Sequence, residues 1–315
     1  MAQDFPEAAG LRLTWEDLPA HVRGAIEARL GGHVVQHAVA RAGFSPAFAG
    51  AVRLADGRRF FIKATGEQLN PYSPGIYASE AEMTRALQGK ARVPRLLHTV
   101  ESRGWLALVY EVIDGHNPKL PWRREELNRV VEALSAQFIA LTPAPVPAPP
   151  AAEILAESIN GFRLLHTETP ANLDPWSRRH LDRLAHLESD APDAAHGLTL
   201  LHFDLRADNI LLSEDGVYVV DWPNASVGAW WIDVLGMAPS VGMQGGPPPE
   251  EFLSAFEGAG DVDPDRIDAV LASIAGYFTH RALQPVPPGL PTLRPFQAAQ
   301  GAIAREWLAR RVGWE

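Results

Sequence analysis

The apolar residues between Val34 and Ala64 come in short runs that turn-forming residues separate. Runs of this length, bounded by Gly, Asp or Pro, predict β-strands. Three strands are expected, at residues 34–41, 48–55 and 58–64, and Asp56-Gly57 predicts a hairpin turn between the last two. A helical spacing follows at residues 77–87, and two further strand patterns follow at 96–100 and 105–111. This order of elements predicts a small α+β unit.

The pattern changes to a helical one after Asp114-Gly115. Apolar residues recur every three or four positions in residues 125–141, 152–165, 176–187 and 295–312, which predicts helices there. The five prolines within residues 143–150 predict an extended loop. The fold class expected is therefore α+β with two lobes. Residues 1–113 would form a small lobe with an antiparallel sheet and one helix, and residues 114–315 a larger, mainly helical lobe.

Composition narrows the functional classes. The chain of 315 residues has a formal net charge of −10 and no cysteine. The negative charge weighs against nucleic-acid binding and is compatible with a cationic partner, and disulfides are excluded. The long uncharged stretch at 133–152 contains those prolines, so we expect no membrane span. The N-terminus shows no signal-peptide pattern. A soluble, cytoplasmic protein is expected.

Chemistry concentrates in residues 200–222, LLHFDLRADNILLSEDGVYVVDW. Two apolar runs flank the turn-forming Ser213-Glu214-Asp215-Gly216, which predicts a hairpin. Asn209 precedes the first strand and Asp221 follows the second, so antiparallel pairing brings them together. An amide oxygen and a carboxylate suit Mg²⁺. Asp204 lies on the loop before this site, and phosphoryl transfer requires such a carboxylate near the acceptor hydroxyl.

This segment resembles the aminoglycoside phosphotransferase family, whose members are related to protein kinases and share the pattern H-G-D-x-x-x-x-N followed by D-F/W. The resemblance implies a kinase-like fold and transfer of the γ-phosphate of ATP or GTP to a hydroxyl. It also implies that Asp204 is catalytic and that Asn209 and Asp221 bind Mg²⁺. His202 and Asp233 would support the loop. The chain departs from the family at Phe203, where glycine is common.

The resemblance also indicates a nucleotide site in the first lobe. Lys63, on the third predicted strand, would reach the phosphates and pair with a glutamate of the next helix. Glu80 fits the family helix better than its neighbour Glu82. The loop at 42–50, which includes Ser45, is placed to cover the phosphates, although it matches no glycine-rich motif. The backbone of Glu111 and Ile113 would contact the purine.

The sequence leaves the acceptor open. It is expected to be a small hydroxyl compound, either an antibiotic such as an aminoglycoside or a metabolite such as a sugar, a choline-like compound or an amino alcohol. A catalytically silent nucleotide-binding module is the alternative from another class. Arg206 is expected to be solvated, and Trp230 and Trp231 to pack in the core. Six acidic residues are candidates for lining a cationic pocket: Glu153, Glu157, Glu257, Asp261, Asp263 and Asp265. The last four are explained more simply as a solvated loop and the N-terminus of a helix that follows.

Overall fold

The computed structural model describes residues 5–6, 8, 10, 12–40, 43–44 and 47–314. Its N-terminal part is a five-stranded antiparallel sheet of order β1-β2-β3-β5-β4 with a helix on each face. The elements in chain order are α1 (Ala20–Leu30), β1 (Val34–Val39), β2 (Phe48–Leu54), β3 (Arg59–Gly66), α2 (Ser73–Leu87), β4 (Leu96–Ser102) and β5 (Trp105–Tyr110).

The strands form where alternate residues face the two covering helices. On one face Val52, Ile62 and Val109 pack with α1, and on the other Leu108 and Tyr110 pack with α2. All five sequence-predicted strands of this part are present, and so is the helix. The helix begins four residues earlier than the apolar pattern indicated, because Pro74 occupies its first turn, where a missing amide costs nothing.

Helix α1 is an addition to the one helix expected in this part. It buries Val22, Ile26 and Leu30 against the sheet. These residues recur every four positions, which places them on one face of a helix. The pattern is sparse, since Gly24 interrupts it. The helix ends at Gly31, whose φ of 68° is a left-handed cap that glycine adopts readily.

The C-terminal part is mainly helical and has one large core. Its helices are α3 (Arg124–Ala140), α4 (Ala151–Glu157), α5 (Gly161–Thr167), α6 (Pro175–Arg179), α7 (Leu181–Ser189), α8 (Ala191–Ala194), α9 (Trp231–Met243), α10 (Pro249–Ser254), α11 (Pro264–Ala282) and α12 (Leu293–Val312). Its strands are β6 (Gly115–His116), β7 (Thr199–Leu201), β8 (Ile210–Ser213), β9 (Gly216–Val219) and β10 (Ser226–Gly228). Strands β6, β8 and β9 form one sheet, and β7 pairs with β10.

Two expected helices are each divided in two. The pattern at 152–165 corresponds to α4 and α5, and that at 176–187 to α6 and α7. The first break is stabilised by a distant residue: the buried Glu188 carboxylate accepts hydrogen bonds from the backbone amides of Phe162 (3.0 Å) and Arg163 (2.7 Å) at the start of α5. A carboxylate that caps a helix from another element leaves no local trace in the sequence.

No helix among the residues that the structure describes is long and apolar enough to cross a membrane.

Candidate active site

The hairpin β8–β9 holds the chemistry-bearing segment, as the sequence predicted. Its register pairs Ile210 with Val219, and the amide of Val220 donates to the carbonyl of Asn209 at 2.9 Å. Asn209 and Asp221 therefore lie at the same open end of the hairpin. Asn209 is buried, and its side-chain amide donates to the backbone carbonyl of Asp204 at 2.9 Å.

The loop before the hairpin is fixed by His202 and Asp233. Both Asp233 oxygens accept backbone amides, from His202 at 2.7 Å and from Phe203 at 2.8 Å. The His202 ring lies between the carbonyl of Val220 (2.9 Å from Nε2) and the amide of Asp204 (3.2 Å from Nδ1). These partners require the neutral ring with its proton on Nε2, since a carbonyl accepts and an amide donates. Burial also lowers the pKa of His202.

The Asp204 carboxylate lies at the mouth of this loop with its side chain 36% exposed. Its Oδ1 is 2.7 Å from Nη1 of Arg206, and its Oδ2 is 3.5 Å from the Asn209 amide nitrogen. Burial raises the pKa of Asp204 to about 6, although the adjacent Arg206 acts in the opposite direction. A carboxylate with this pKa is ionised at neutral pH and is a better proton acceptor than an ordinary aspartate.

Arg206 is not solvated, contrary to the sequence expectation. Its side chain is 16% exposed and pairs with Asp204, and it also binds both carboxylate oxygens of Asp208, at 3.0 and 2.8 Å. The planar guanidinium suits this forked contact with two carboxylates. The D-L-R-A-D pattern did not predict this pairing, because the same residues would also suit an exposed loop.

Lys63 joins the two parts of the molecule. Its Nζ lies 2.5 Å from Glu80 on α2 and 2.9 Å from Asp221 beyond β9. The other Glu80 oxygen accepts a hydrogen bond from the Tyr110 hydroxyl at 2.8 Å. Burial alone would lower the pKa of Lys63, but the carboxylates of Asp221 and Glu80 raise it well above its ordinary value. Glu82 is exposed and forms no ion pair within the described residues.

Three further residues were expected to contact the nucleotide: Glu111, Ile113 and Ser45. Glu111 and Ile113 lie directly after β5, in the connector between the two parts. The Glu111 amide donates to the carbonyl of Arg95 at 3.0 Å, and its carboxylate pairs with the Arg95 side chain. A purine contact at Glu111 could therefore use only its carbonyl. Ser45 lies outside the described residues.

The donor set at the hairpin end fits a hard cation. Asn209 uses its nitrogen on Asp204, which leaves its oxygen for another partner. Oδ1 of Asp221 accepts a hydrogen bond from Nζ of Lys63, and no hydrogen bond to its Oδ2 is present within the described ranges. The structure brings no three His, Asp or Glu side chains of those ranges into a metal-binding group. Two protein oxygens completed by phosphate and water are the usual Mg²⁺ arrangement.

Two residues of this site have a left-handed backbone. Phe203 has φ of 65° and Asp221 has φ of 69°. Asp tolerates this region, whereas for a bulky residue such as Phe it is strained, by about 1–2 kcal/mol. The conformation explains why glycine is common at the Phe203 position in the resembled family.

Arg12, ahead of α1, was not anticipated. The segment around it runs beside Gly43 and Ala47, since the Leu13 amide donates to the carbonyl of Ala47 and Gly43 lies against the Arg12 guanidinium. The charges of Asp208 and Asp221 act on Arg12 to raise its pKa, while burial, the larger effect, lowers it. Nothing in the spacing of the sequence indicated that this arginine would reach the hairpin end.

A cavity of about 960 Å³ opens beside Asp204. It is bounded by the 203–206 loop, the proline-rich segment, α4, α11 and the start of α12. Phe44 closes one side, with its ring 5.3 Å from that of Phe296 and 5.5 Å from the Arg206 guanidinium carbon. None of the six acidic candidates lines this cavity. Asp263 instead caps α11, accepting the Asp265 amide at 3.0 Å.

The two tryptophans pack in the interior, as expected. Trp231 is buried, and Trp230 contacts the rings of Phe138 and Phe256.

The phosphotransferase enzyme family (APH) matches residues 51–270. The chain therefore belongs to this family. It is a small-molecule kinase of the group that transfers phosphate to hydroxyl acceptors with ATP. No curated protein sequence matches it.

Solved structures show the same fold at low identity. An aminoglycoside phosphotransferase in ternary complex with AMP-PNP and hygromycin B has a TM-score of 0.64 and 16% identity, with 94% of this chain and 100% of that chain covered. An aminoglycoside-3'-phosphotransferase of type VIII has a TM-score of 0.58 and 21% identity, covering 82% and 100%. Choline kinase LicA from Streptococcus pneumoniae has a TM-score of 0.60 and 14% identity, covering 90% and 98%. The α+β, kinase-like fold predicted from the sequence is confirmed.

Proposed function

We propose that the protein moves the γ-phosphate of Mg²⁺-bound ATP to a hydroxyl of a small molecule that occupies the cavity beside Asp204. The acceptor oxygen forms a bond to the γ-phosphorus, the bond to the ADP oxygen breaks, and the hydroxyl proton passes to Asp204. Residues 1–113 form the nucleotide-binding lobe and residues 114–315 the catalytic and acceptor-binding lobe.

The placement of Asp204 carries this proposal. Its carboxylate faces the cavity, and the pKa of about 6 makes it a proton acceptor at neutral pH. Asn209 and Asp221 offer oxygens to Mg²⁺ at the adjoining hairpin end. Mg²⁺ would neutralise charge on the phosphates. Lys63, oriented by Glu80, would contact the phosphates, and the Glu111–Ile113 connector the purine.

The supporting residues act through the loop. Asp233 and His202 hold three consecutive amides of residues 202–204 by hydrogen bonds. They fix the position of Asp204 and leave neither ring nitrogen of His202 for proton transfer. The complete set argues against a catalytically silent module, which would have no need for a metal pair and a reactive carboxylate together.

The test is ADP release with purified protein, Mg²⁺ and ATP, screened over aminoglycosides, macrolides, sugars, amino alcohols and hydroxy acids. Phosphorylated product is identified by mass spectrometry. With an accepted substrate, Asp204→Asn should lower kcat by at least about 100-fold, the usual contribution of a general base.

Asp215→Asn is the matched control, because this exposed aspartate lies in the turn of the same hairpin. It should retain wild-type kcat. Equal activity of wild type and Asp204→Asn would contradict the role of Asp204. Tight nucleotide binding without turnover on any acceptor would favour the silent module. Growth of a susceptible host on each antibiotic tests the resistance version of the proposal.

A further inference from the structure

The chemical character of the cavity beside Asp204 indicates its acceptor. The proposed function assigns this cavity to a hydroxyl compound and leaves the class of that compound open. At about 960 Å³ the cavity is large enough for a molecule of drug size. Most of its lining side chains are apolar, among them Phe203, Trp222, Ile274, Phe278, Leu293 and Phe296. Such walls favour an acceptor with a large apolar body, because they would leave the ammonium groups of a polycation without partners.

The charged groups of the lining are mostly engaged. Asp233 uses both oxygens on backbone amides, and Arg206 is paired with Asp204 and Asp208. Arg206 offsets part of the negative charge of Asp204, and the oxygens of Asp233 are already occupied by amides, so neither carboxylate is fully available to a cationic acceptor. The cavity thus differs from the acidic pocket that the sequence suggested.

Arg281 is the cation left to act on a ligand. It lies on α11 at the cavity edge, with its guanidinium over the ring of Tyr277 at 5.4 Å, and it has no ion pair within the described ranges. Arg294, at the start of α12, is close enough to Arg281 for their charges to interact. Arg294 donates to Gln297, another lining residue, at 2.7 Å. Arg294 also donates to the carbonyl of Pro285 at 3.1 Å, so Arg281 is the arginine of this pair that faces the cavity with N–H groups for an anion.

Glu82 is the lining carboxylate that could favour a cation instead. It is exposed on α2, across the cavity from α11, and it has no salt bridge within the part of the chain that the structure describes. Glu157 lies near Arg281 in a smaller adjoining pocket of about 230 Å³. Glu82 and Glu157 line different pockets, whereas Arg281 and Arg294 are close enough for their charges to interact.

We infer that the acceptor is a mainly apolar hydroxyl compound with an acidic group, held by Arg281 with its hydroxyl at Asp204. This inference rests on the proposed function. The acidic group lies at the α11–α12 edge, and the apolar body fills the space between Phe203 and Phe296. The class excludes polycationic aminoglycosides, whose amines would meet the arginines.

The experiment compares three acceptors of one length: ω-hydroxydodecanoic acid, its amide and the corresponding amino alcohol, all below their micelle concentrations. We expect kcat/KM to decrease in that order. Arg281→Gln should lower kcat/KM for the acid about tenfold, the size expected for loss of one charged hydrogen bond. It should leave the amide unchanged.

Two variants control for charge loss elsewhere. Arg310→Gln removes an exposed arginine of α12 that does not line the cavity, and it should leave the order intact. Glu82→Gln should also leave it intact. A higher kcat/KM for the amino alcohol than for the acid in the wild type would overturn the inference. If Glu82→Gln abolished that preference, Glu82 and not Arg281 would be the residue that selects the acceptor.

A failure of the proposed function can be recognised separately. If no acceptor is phosphorylated while ATP still binds, calorimetry with the acid alone decides the inference. Binding that weakens about tenfold in Arg281→Gln and not in Arg310→Gln supports an anion-binding cavity without kinase activity. Equal binding by wild type and both variants contradicts it.

Discussion

Two regions of the proposed site are built differently: the surroundings of Lys63, which we propose bind the nucleotide (the nucleotide side), and the cavity beside Asp204, which we propose holds the acceptor (the acceptor side). Around Lys63 the polar groups satisfy one another: Glu80 binds both Lys63 and Tyr110, and Lys63 also binds Asp221. Across the cleft the cavity wall is largely apolar and carries Arg281 without an ion pair in the described residues. On the first side Lys63 is held by two carboxylates, whereas on the second Arg281 has no carboxylate partner within the described residues.

The two sides should differ in how much substitution they tolerate. A closed, buried network tolerates little change, because loss of one partner leaves another charge uncompensated. An apolar wall tolerates exchange of one hydrophobic side chain for another at lower cost. Under the proposed function, substitutions on the first side should affect the reaction with every acceptor, and substitutions on the second the choice of acceptor.

The largest effect is expected for Asp221→Asn, which removes a negative charge from the proposed metal site and from beside Lys63. Affinity for Mg²⁺-ATP should fall by more than about 100-fold, above the range seen for outer-shell partners of metals. Isothermal titration of ATP with and without Mg²⁺ measures it. The Asp215→Asn protein should bind as wild type, and an unchanged Mg²⁺ dependence in Asp221→Asn would remove Asp221 from the metal site.

The next effect concerns stability. Glu80→Gln leaves Lys63 with one carboxylate instead of two in a buried position, and should lower the free energy of unfolding by about 3 kcal/mol. Urea denaturation followed by tryptophan fluorescence measures the change. Glu82→Gln, two residues along the same helix and exposed, should change it by less than about 0.5 kcal/mol. If Glu80→Gln lowered the free energy of unfolding as little as Glu82→Gln does, the buried Lys63–Glu80 pair would add nothing to stability.

The smallest effect is on pH dependence. Protonated Asp204 cannot accept the hydroxyl proton, so kcat/KM should fall as the pH decreases through about 6. The Arg206 charge opposes the upward influence of burial on the pKa of Asp204. Arg206→Gln should therefore raise that pKa and move the acid limb upward by about one pH unit.

The control for this profile is Arg92→Gln, which removes an arginine that pairs with Asp215 on the exposed side of the hairpin. Its acid limb should stay near pH 6. A limb that does not move in Arg206→Gln would mean that a group other than Asp204 limits the rate at low pH.

The nucleotide side was largely predictable because its signals are local or rest on strand pairing. The hairpin pattern predicted that Asn209 and Asp221 lie together, and the resemblance to the family indicated Lys63 on its strand with Glu80 on the next helix. Arg12 was missed because its position depends on a bridge to Ala47, far along the chain.

The acceptor side was not predictable in the same way. Its wall is assembled from segments as distant as Phe44 and Phe296, and no spacing in the sequence relates them. None of the six acidic candidates lines the cavity, and Glu157 reaches only the smaller adjoining pocket. Charge counted along the chain does not reveal which face of a helix it occupies.

The left-handed backbone at Phe203 limits how this cavity can be redesigned. Glycine or asparagine would fit the backbone angle but would open the wall, and a β-branched side chain would fit the wall but increase the strain. No single substitution keeps both. Libraries intended to change the acceptor should leave position 203 fixed and vary Ile274, Phe278 and Phe296, which lie on helices α11 and α12.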